Sequence, residues 1–220
     1  MEKIVFSWSS GKDSAMGLHE IFKQNNRYSV EKLLTTVSFE HDRVCMHGVK
    51  NELLIKQADA IGIPLEEVTI NSNASNSDYE KAMEKTLLAF KENGIFTIAF
   101  GDIYLEELKE YRIKNMEKVG FKALFPLWKR DTAELAKAFI ELGFKAIVTC
   151  VDTNVLDASY AGRIYDVKFL ADLPNSVDPC GENGEFHTFV YEGPILKKRL
   201  SIEIGNTVLR DNRFAFCDLR

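Results

Sequence analysis

Six consecutive residues near the start of the chain, Ser9-Ser10-Gly11-Lys12-Asp13-Ser14, combine the groups that holding a phosphate requires. They follow a short apolar run, Ile4–Trp8, and precede a helical pattern that turns Ala15, Leu18, Ile21 and Phe22 inward. A helix starting here presents unpaired N–H groups and about half a positive charge to an anion. Small residues let the backbone close on it, and Gly11 can take a positive φ. Ser9 and Ser14 add hydroxyl donors, Lys12 adds a cation, and Asp13 can hold the magnesium that accompanies a nucleotide phosphate. The competing reading is a Ser- and Asp-rich helix cap. A Walker loop does not fit, because it requires Gly where Phe6 stands and Ser or Thr where Asp13 stands. No G-x-G-x-x-G dinucleotide motif occurs in the sequence.

Other residues could supply the partner chemistry. Glu182 and Glu185 sit three residues apart in a loop flanked by Gly181 and Gly184. Two carboxylates there can hold magnesium, attract ammonium and take its proton, or pair with a cationic substrate. An isolated E-x-x-E is more often a solvated turn. Gly101-Asp102 closes the apolar run Ile95–Gly101, at the strand end where parallel sheets bind ligands. Asp102 is therefore a candidate for ribose, magnesium or acceptor, or else the cap of the next helix. Arg112 suits a bidentate pair with phosphate or carboxylate, or a surface pair with Glu106 or Glu107. His47 can meet the acceptor or cap the helix after it. His187 alternates with Phe186 along a strand, next to Thr188. Cys45, Cys150, Cys180 and Cys217 form no CxxC pair, which argues against zinc or iron–sulfur ligation and for reduced thiols. Cys150 and Cys180, the pair that could transfer sulfur, read as small buried thiols.

These residues need a scaffold, and the hydrophobic rhythm supplies one. Apolar runs at Ile4–Trp8, Leu33–Phe39, Pro64–Ile70, Ile95–Gly101, Lys122–Phe125 and Ala146–Val151 alternate with helical patterns. One helical face carries Val49, Leu53, Leu54, Ala58 and Ile61; another carries Tyr79, Met83, Leu87 and Phe90. A third helix, Ala133–Leu142, opens on Asp131 with Glu134 three residues on. Alternating strands and helices predict a parallel five- or six-stranded sheet with helices on both faces, spanning residues 1–152. After Thr153 the rhythm breaks. A short helix around Tyr165–Leu173 and strands at Phe186–Tyr191, Arg199–Ile204 and Arg213–Cys217 predict a smaller α+β unit over 153–220.

Bulk properties narrow the class. The 220 residues are 45% hydrophobic and 28% charged, enough for a globular core without disulfides or structural metal. A net charge of −5 argues against general nucleic-acid binding. No apolar run approaches a membrane span and no signal region is evident, so the expected compartment is the cytoplasm. Asn73-Ala74-Ser75 matches a glycosylation sequon and reads as chance.

The loop at Ser9–Ser14 resembles the S-G-G-x-D-S loop of ATP pyrophosphatases, the adenine-nucleotide α-hydrolase superfamily that cleaves ATP between its α and β phosphates. Ser10 stands at the usual second-residue glycine, a mild change at negative φ. Four further stretches extend the likeness: Met46-His47-Gly48 leading to Gln57–Leu65; Phe100-Gly101-Asp102-Ile103 with Arg112; Pro126-Leu127-Trp128; and Gly181-Glu182-Asn183-Gly184-Glu185-Phe186-His187-Thr188. Together they resemble the diphthine–ammonia ligase family over nearly the whole chain. The resemblance implies ATP and Mg2+ as cofactors, a carboxylate activated as an acyl-adenylate, and ammonia converting it to an amide. The acceptor it implies is diphthine, a modified histidine on translation elongation factor 2. In that family the last stretch usually reads closer to G-E-G-G-E-[YF]-E-T, so Asn183 and His187 depart from it in the acceptor pocket. The resemblance does not take in the long C-terminal extension of eukaryotic members, so a short form is expected. Amidation of a cobalamin-related small molecule, nucleobase modification of tRNA and a nucleotide sensor without turnover stay open, as does a homo-oligomer.

Overall fold

Alternation within the first strand sets the architecture. β1 (Glu2–Ser7) turns Ile4 and Phe6 to one face of its sheet and Val5 to the other, and all three are fully buried. A strand buried on both faces belongs at the centre of a layered α/β structure. The computed structural model describes residues 1–24, 26–45, 47–71 and 74–220, so Met46 and the sequon residue Asn73 lie outside it. Strands β2 (Tyr28–Ser38), β4 (Leu65–Ile70), β5 (Thr97–Ala99) and β6 (Lys122–Leu124) join β1 in the order β4-β2-β1-β5-β6, all parallel. A two-residue strand, β3 (Arg43–Val44), adds antiparallel to the end of β2.

Helices cover both faces, as the sequence predicts. α1 (Lys12–Phe22), α2 (Asn51–Ile61) and α5 (Thr132–Glu141) pack on the Ile4/Phe6 side. α3 (Asn76–Glu92) and α4 (Glu106–Lys118) pack on the Val5 side. The predicted apolar faces of α2 and α3 are the buried ones, with Tyr79 half-buried at the edge. Phe22 departs from expectation and is 37% exposed, because Ala15, Leu18 and Ile21 already complete the inward stripe of α1.

A second sheet contains β7 (Lys145–Asp152), β8 (Phe186–Glu192), β9 (Ile204–Arg210) and β10 (Phe214–Leu219) in the order β8-β7-β10-β9, antiparallel throughout. The Ala146–Val151 run thus joins this sheet and not the parallel one. An unbroken apolar run suits a doubly buried strand in either sheet and does not name its neighbours. The sheets part before β7, one strand earlier than a division at 152/153. The expected strand at Arg199–Ile204 is also displaced. Asp211 and Asn212, with φ of +52° and +50°, turn the chain in a three-residue hairpin connection closed by Arg213, and the pairing of Phe214 with Arg210 places β9 at Ile204–Arg210. The C-terminal helix α6 is short (Val167–Asp172). The larger apolar core joins both sheets, Phe6 and Trp8 sharing it with Phe186 and Phe189.

Candidate functional site

Strand order reverses beside β1, with β2 on one side and β5 on the other. Such a switch point opens a crevice beyond the C-terminal strand ends. The phosphate loop leaves β1 there, and Phe100-Gly101-Asp102 leaves β5. A Cβ on Gly101 would stand 3.0 Å from backbone atoms of Asp13 and Ser14, so glycine lets the two exits touch. Above them lies a cleft of about 650 Å³. Its walls include Ser9, Lys12, Asp13, Ser14, Leu34–Thr36, His47, Gly101, Asp102 and Arg112 from the N-terminal half. Gly181, Glu182, Gly184, His187 and Thr188 line it from the other half. Nearly all the residues singled out by the sequence therefore converge.

The loop backbone differs from expectation at two positions. Gly11, the N-cap of α1, has φ −90°, and the left-handed residue is Ser10 at φ +70°. Gly11 is required for space instead: a Cβ there would meet His47 Cε1 at 2.8 Å and the Thr188 carbonyl oxygen at 3.1 Å. Ser10 is therefore not the mild change that negative φ would have made it, and its buried hydroxyl has no hydrogen-bond partner among the described residues. Its carbonyl is fixed by Val190 N–H at 3.0 Å and Gln57 Nε2 at 3.1 Å. Gln57 also donates to the Val190 carbonyl at 2.6 Å and accepts from Trp8 Nε1 at 2.8 Å. The N-cap Gly11 offers α1 no side-chain cap, so the amides of its first turn that Thr188 does not take stay available to an anion. The Lys12 N–H donates to Thr188 Oγ1 at 3.0 Å, and the Ser9 and Ser14 hydroxyls bond each other at 3.2 Å.

Lys12 is the most enclosed charge in the cleft, 3% exposed. Its ammonium lies 2.7 Å from Asp13 Oδ2, donates to the Cys180 carbonyl, and faces the rings of Tyr165 and Phe186 at 5.8 and 5.5 Å. Burial is the largest single influence and works against the ammonium, but Asp13, Cys180 and Glu182 together outweigh it and the Lys12 pKa lies above the usual lysine value, while burial raises the Asp13 pKa against the pull of Lys12. Asp13 remains one-third exposed at the cleft wall. Both Asp13 oxygens accept from the Lys12 ammonium, at 2.8 and 2.7 Å, and the described residues contain no cluster of three metal-ligating side chains, so Asp13 could offer Mg2+ one protein ligand only, beside the oxygens of a bound polyphosphate.

Opposite the loop, Arg112 sits 2.6 Å from Asp102 Oδ2 through Nε and donates to Oδ1 at 3.1 Å through Nη2. The pair is internal, not a surface contact of Arg112 with Glu106 or Glu107. Asp102 does not cap α4, whose N-cap is Leu105. The two glutamates part ways. Glu182 lines the cleft and accepts from Ile103 N–H at 2.8 Å and Tyr104 N–H at 3.3 Å. Burial, reinforced by Asp13, pushes its pKa up to about 7 against the pull of those donors. Glu185 is buried and faces its own loop: Oε1 accepts from Asp178 N–H and Asn183 Nδ2, and Oε2 from Asn183 N–H, all at 2.9–3.0 Å.

Three contributors escaped sequence reading. Asp178 accepts from the Cys180 and Glu182 amides and from the Thr132 hydroxyl, shaping the loop that carries Glu182. Tyr165 donates to the Pro179 carbonyl at 2.7 Å, and Gln57 holds Ser10. Asp178-Pro179 was a visible turn signal, Gln57 stood in one of the stretches that carry the family resemblance without a role read for it, and Tyr165 had no signal. His47 and His187 lie together, their rings 4.6 Å apart. The thiols of Cys150 and Cys180 are buried, which pushes Cys150 up to about 12 and Cys180 further, so neither is a ready thiolate.

Comparison with known proteins gives two family matches. The diphthamide synthase N-terminal domain matches residues 1–123 and the diphthamide synthase C-terminal domain residues 131–219. Among curated relatives, a "Diphthine--ammonia ligase" from Danio rerio is 27% identical over 97% of this chain and 91% of its own length. The Homo sapiens protein of that name is 24% identical over 91% and 83%, and the Schizosaccharomyces pombe one 24% identical over 90% and 36%. Among solved structures, the U34-tRNA thiolase NcsA from Methanococcus maripaludis with its 4Fe-4S cluster overlaps 64% of this chain and 58% of its own, at 15% identity and TM-score 0.40. No described helix is long and apolar enough to cross a membrane.

Proposed function

This chain belongs to the diphthamide synthase family, and from that premise we propose that it is an ATP-dependent carbon–nitrogen ligase. It converts an acceptor carboxylate to an amide with ammonia and releases AMP and pyrophosphate. The acceptor class is the one named for its relatives, a diphthine-containing substrate. The observation that carries this reading is the pair of bonds from Lys12 to the C-terminal half, its N–H to Thr188 Oγ1 and its ammonium to the Cys180 carbonyl. Through them the phosphate loop and the glutamate loop become two walls of one cleft.

The chemistry follows from the placement. The first-turn amides of α1 beyond the one held by Thr188, together with Lys12, are placed to meet the β and γ phosphates and lower the charge that builds on departing pyrophosphate. Mg2+, when bound at Asp13, would supply further charge neutralisation on the polyphosphate. The Arg112–Asp102 pair braces the wall where the acceptor carboxylate approaches the α phosphorus. After the acyl-adenylate forms, nitrogen must attack as free amine. Glu182, ionising near neutrality and set in that wall, takes the proton from ammonium. Glu185 keeps the loop that presents Glu182 in shape. To test the reading, the protein is incubated with MgATP, ammonium and elongation factor 2 carrying diphthine. AMP, pyrophosphate and amide should appear in equal amounts, and amide-free turnover to ADP would overturn it.

A further inference from the structure

We infer that His47 takes up a proton when a polyphosphate enters the cleft, and then stands beside Lys12 as a second cation on the phosphate loop. This goes beyond the ligase reading but rests on its nucleotide site. The ring lies against the loop itself. A Cβ on Gly11 would be 2.8 Å from His47 Cε1 and 3.3 Å from Nδ1, so the missing side chain of Gly11 is the space the imidazole uses.

The tautomer is set by chemistry. Nδ1 lies 3.2 Å from the Thr188 carbonyl oxygen, and a carbonyl only accepts, so Nδ1 carries the hydrogen. Nε2, the other ring nitrogen, then carries a bare lone pair. A lone pair and a phosphate oxygen are both acceptors and cannot bond until a proton lies between them. Proton uptake turns the same nitrogen into a charge-assisted donor, the stronger class of hydrogen bond.

The charges around His47 explain why it waits for the ligand. Lys12 on α1 opposes a second cation, and the Asp13 carboxylate beside it is already committed to that lysine. From β8 it faces His187, whose ring lies 4.6 Å away, tilted by 38°, and whose own pKa is held well down by burial and by His47. Cys45, two residues before it on the same cleft wall, has a thiol pushed up by burial. Among the described residues no carboxylate bonds either imidazole. Burial and Lys12 hold the His47 pKa down to about 4 in the free protein. An arriving polyphosphate brings the negative charge the site lacks. The linkage sign follows: if the bound pKa is higher, affinity rises as pH falls from the bound pKa toward the free one, by up to about tenfold per pH unit.

The test is calorimetry of α,β-methylene ATP with magnesium near neutral pH, in buffers of different ionisation enthalpy. The buffer dependence counts protons taken up, and the nucleotide's own titration cancels between variants. His47→Asn keeps an amide donor for the Thr188 carbonyl but cannot ionise; His47→Gln serves if that variant does not fold. The wild type should take up more protons than either, by up to about one, and its advantage in affinity should shrink as pH rises. His187→Asn should retain the uptake. Equal uptake in wild type and His47→Asn, or loss of uptake in His187→Asn alone, overturns the inference while leaving ATP binding intact. Failure of the wild type to bind the analogue overturns the nucleotide reading, and this inference with it.

Discussion

Ser10→Gly should make the protein more stable, although it deletes a buried side chain. Ser10 holds φ +70°, and a left-handed residue with a Cβ costs about 1–2 kcal/mol. Its hydroxyl is buried without a partner among the described residues, a desolvation loss of about 1–3 kcal/mol. Against this, glycine frees the unfolded chain by about 0.5–1 kcal/mol, and the lost Cβ burial is worth about 0.8 kcal/mol. The balance favours glycine by about 2 kcal/mol, which for a chain of this length raises Tm by about 4–8 °C. Differential scanning calorimetry without nucleotide reads the shift directly. The bonds that hold the Ser10 carbonyl come from Gln57 and Val190 and are untouched, so nucleotide affinity should stay within a few-fold. An unchanged or lowered Tm would refute the reasoning, and would mean that the hydroxyl is satisfied or that the backbone relaxes at this position.

Three more variants separate roles within the cleft. Lys12→Ala should slow turnover by about 10²–10³-fold, the loss of one preorganised charge donor, and should also lower Tm because Asp13 and the Cys180 carbonyl lose their partner; unchanged turnover would reduce the loop to a helix cap. For Glu182→Gln, the ratio of wild-type to variant rate should climb as pH rises through about 7, because only the ionised carboxylate can take a proton; a ratio independent of pH removes Glu182 as the base. Glu185→Gln turns a donor group toward the donors of Asp178 and Asn183 and should lower Tm, the typical loss being about 1–3 kcal/mol. An unchanged Tm with complete loss of amide would return Glu185 to the chemistry.

Much of the site was legible because it rests on local rules. A strand followed by Ser9–Ser14 and an amphipathic helix implies an anion site whatever surrounds it, and β1 running into α1 through that loop is what the structure contains. The predicted strands of the parallel sheet likewise came from alternation and length. What stayed hidden depends on partners distant in sequence. Whether Glu182 or Glu185 faces the cleft is decided by the Ile103 amide and by Asn183, and both residues satisfy the same spacing. That Gly11 serves space and Ser10 takes the unusual φ follows from His47 and Val190 pressing on the loop. β7 could not be assigned to a sheet because its neighbours, β8 and β10, follow it in the chain and announce themselves only by pairing.

The central claim is that this cleft joins the nucleotide to the acceptor through its α phosphate. Diphthine labelled with ¹⁸O in its carboxylate, presented on elongation factor 2 with MgATP and ammonium, tests it most directly. Attack of the carboxylate on the α phosphorus leaves one labelled oxygen on AMP when ammonia displaces it. Mass spectrometry should find AMP carrying a single ¹⁸O in equal amount to the amide. Unlabelled AMP, or label in inorganic phosphate with ADP as the nucleotide product, would contradict the account.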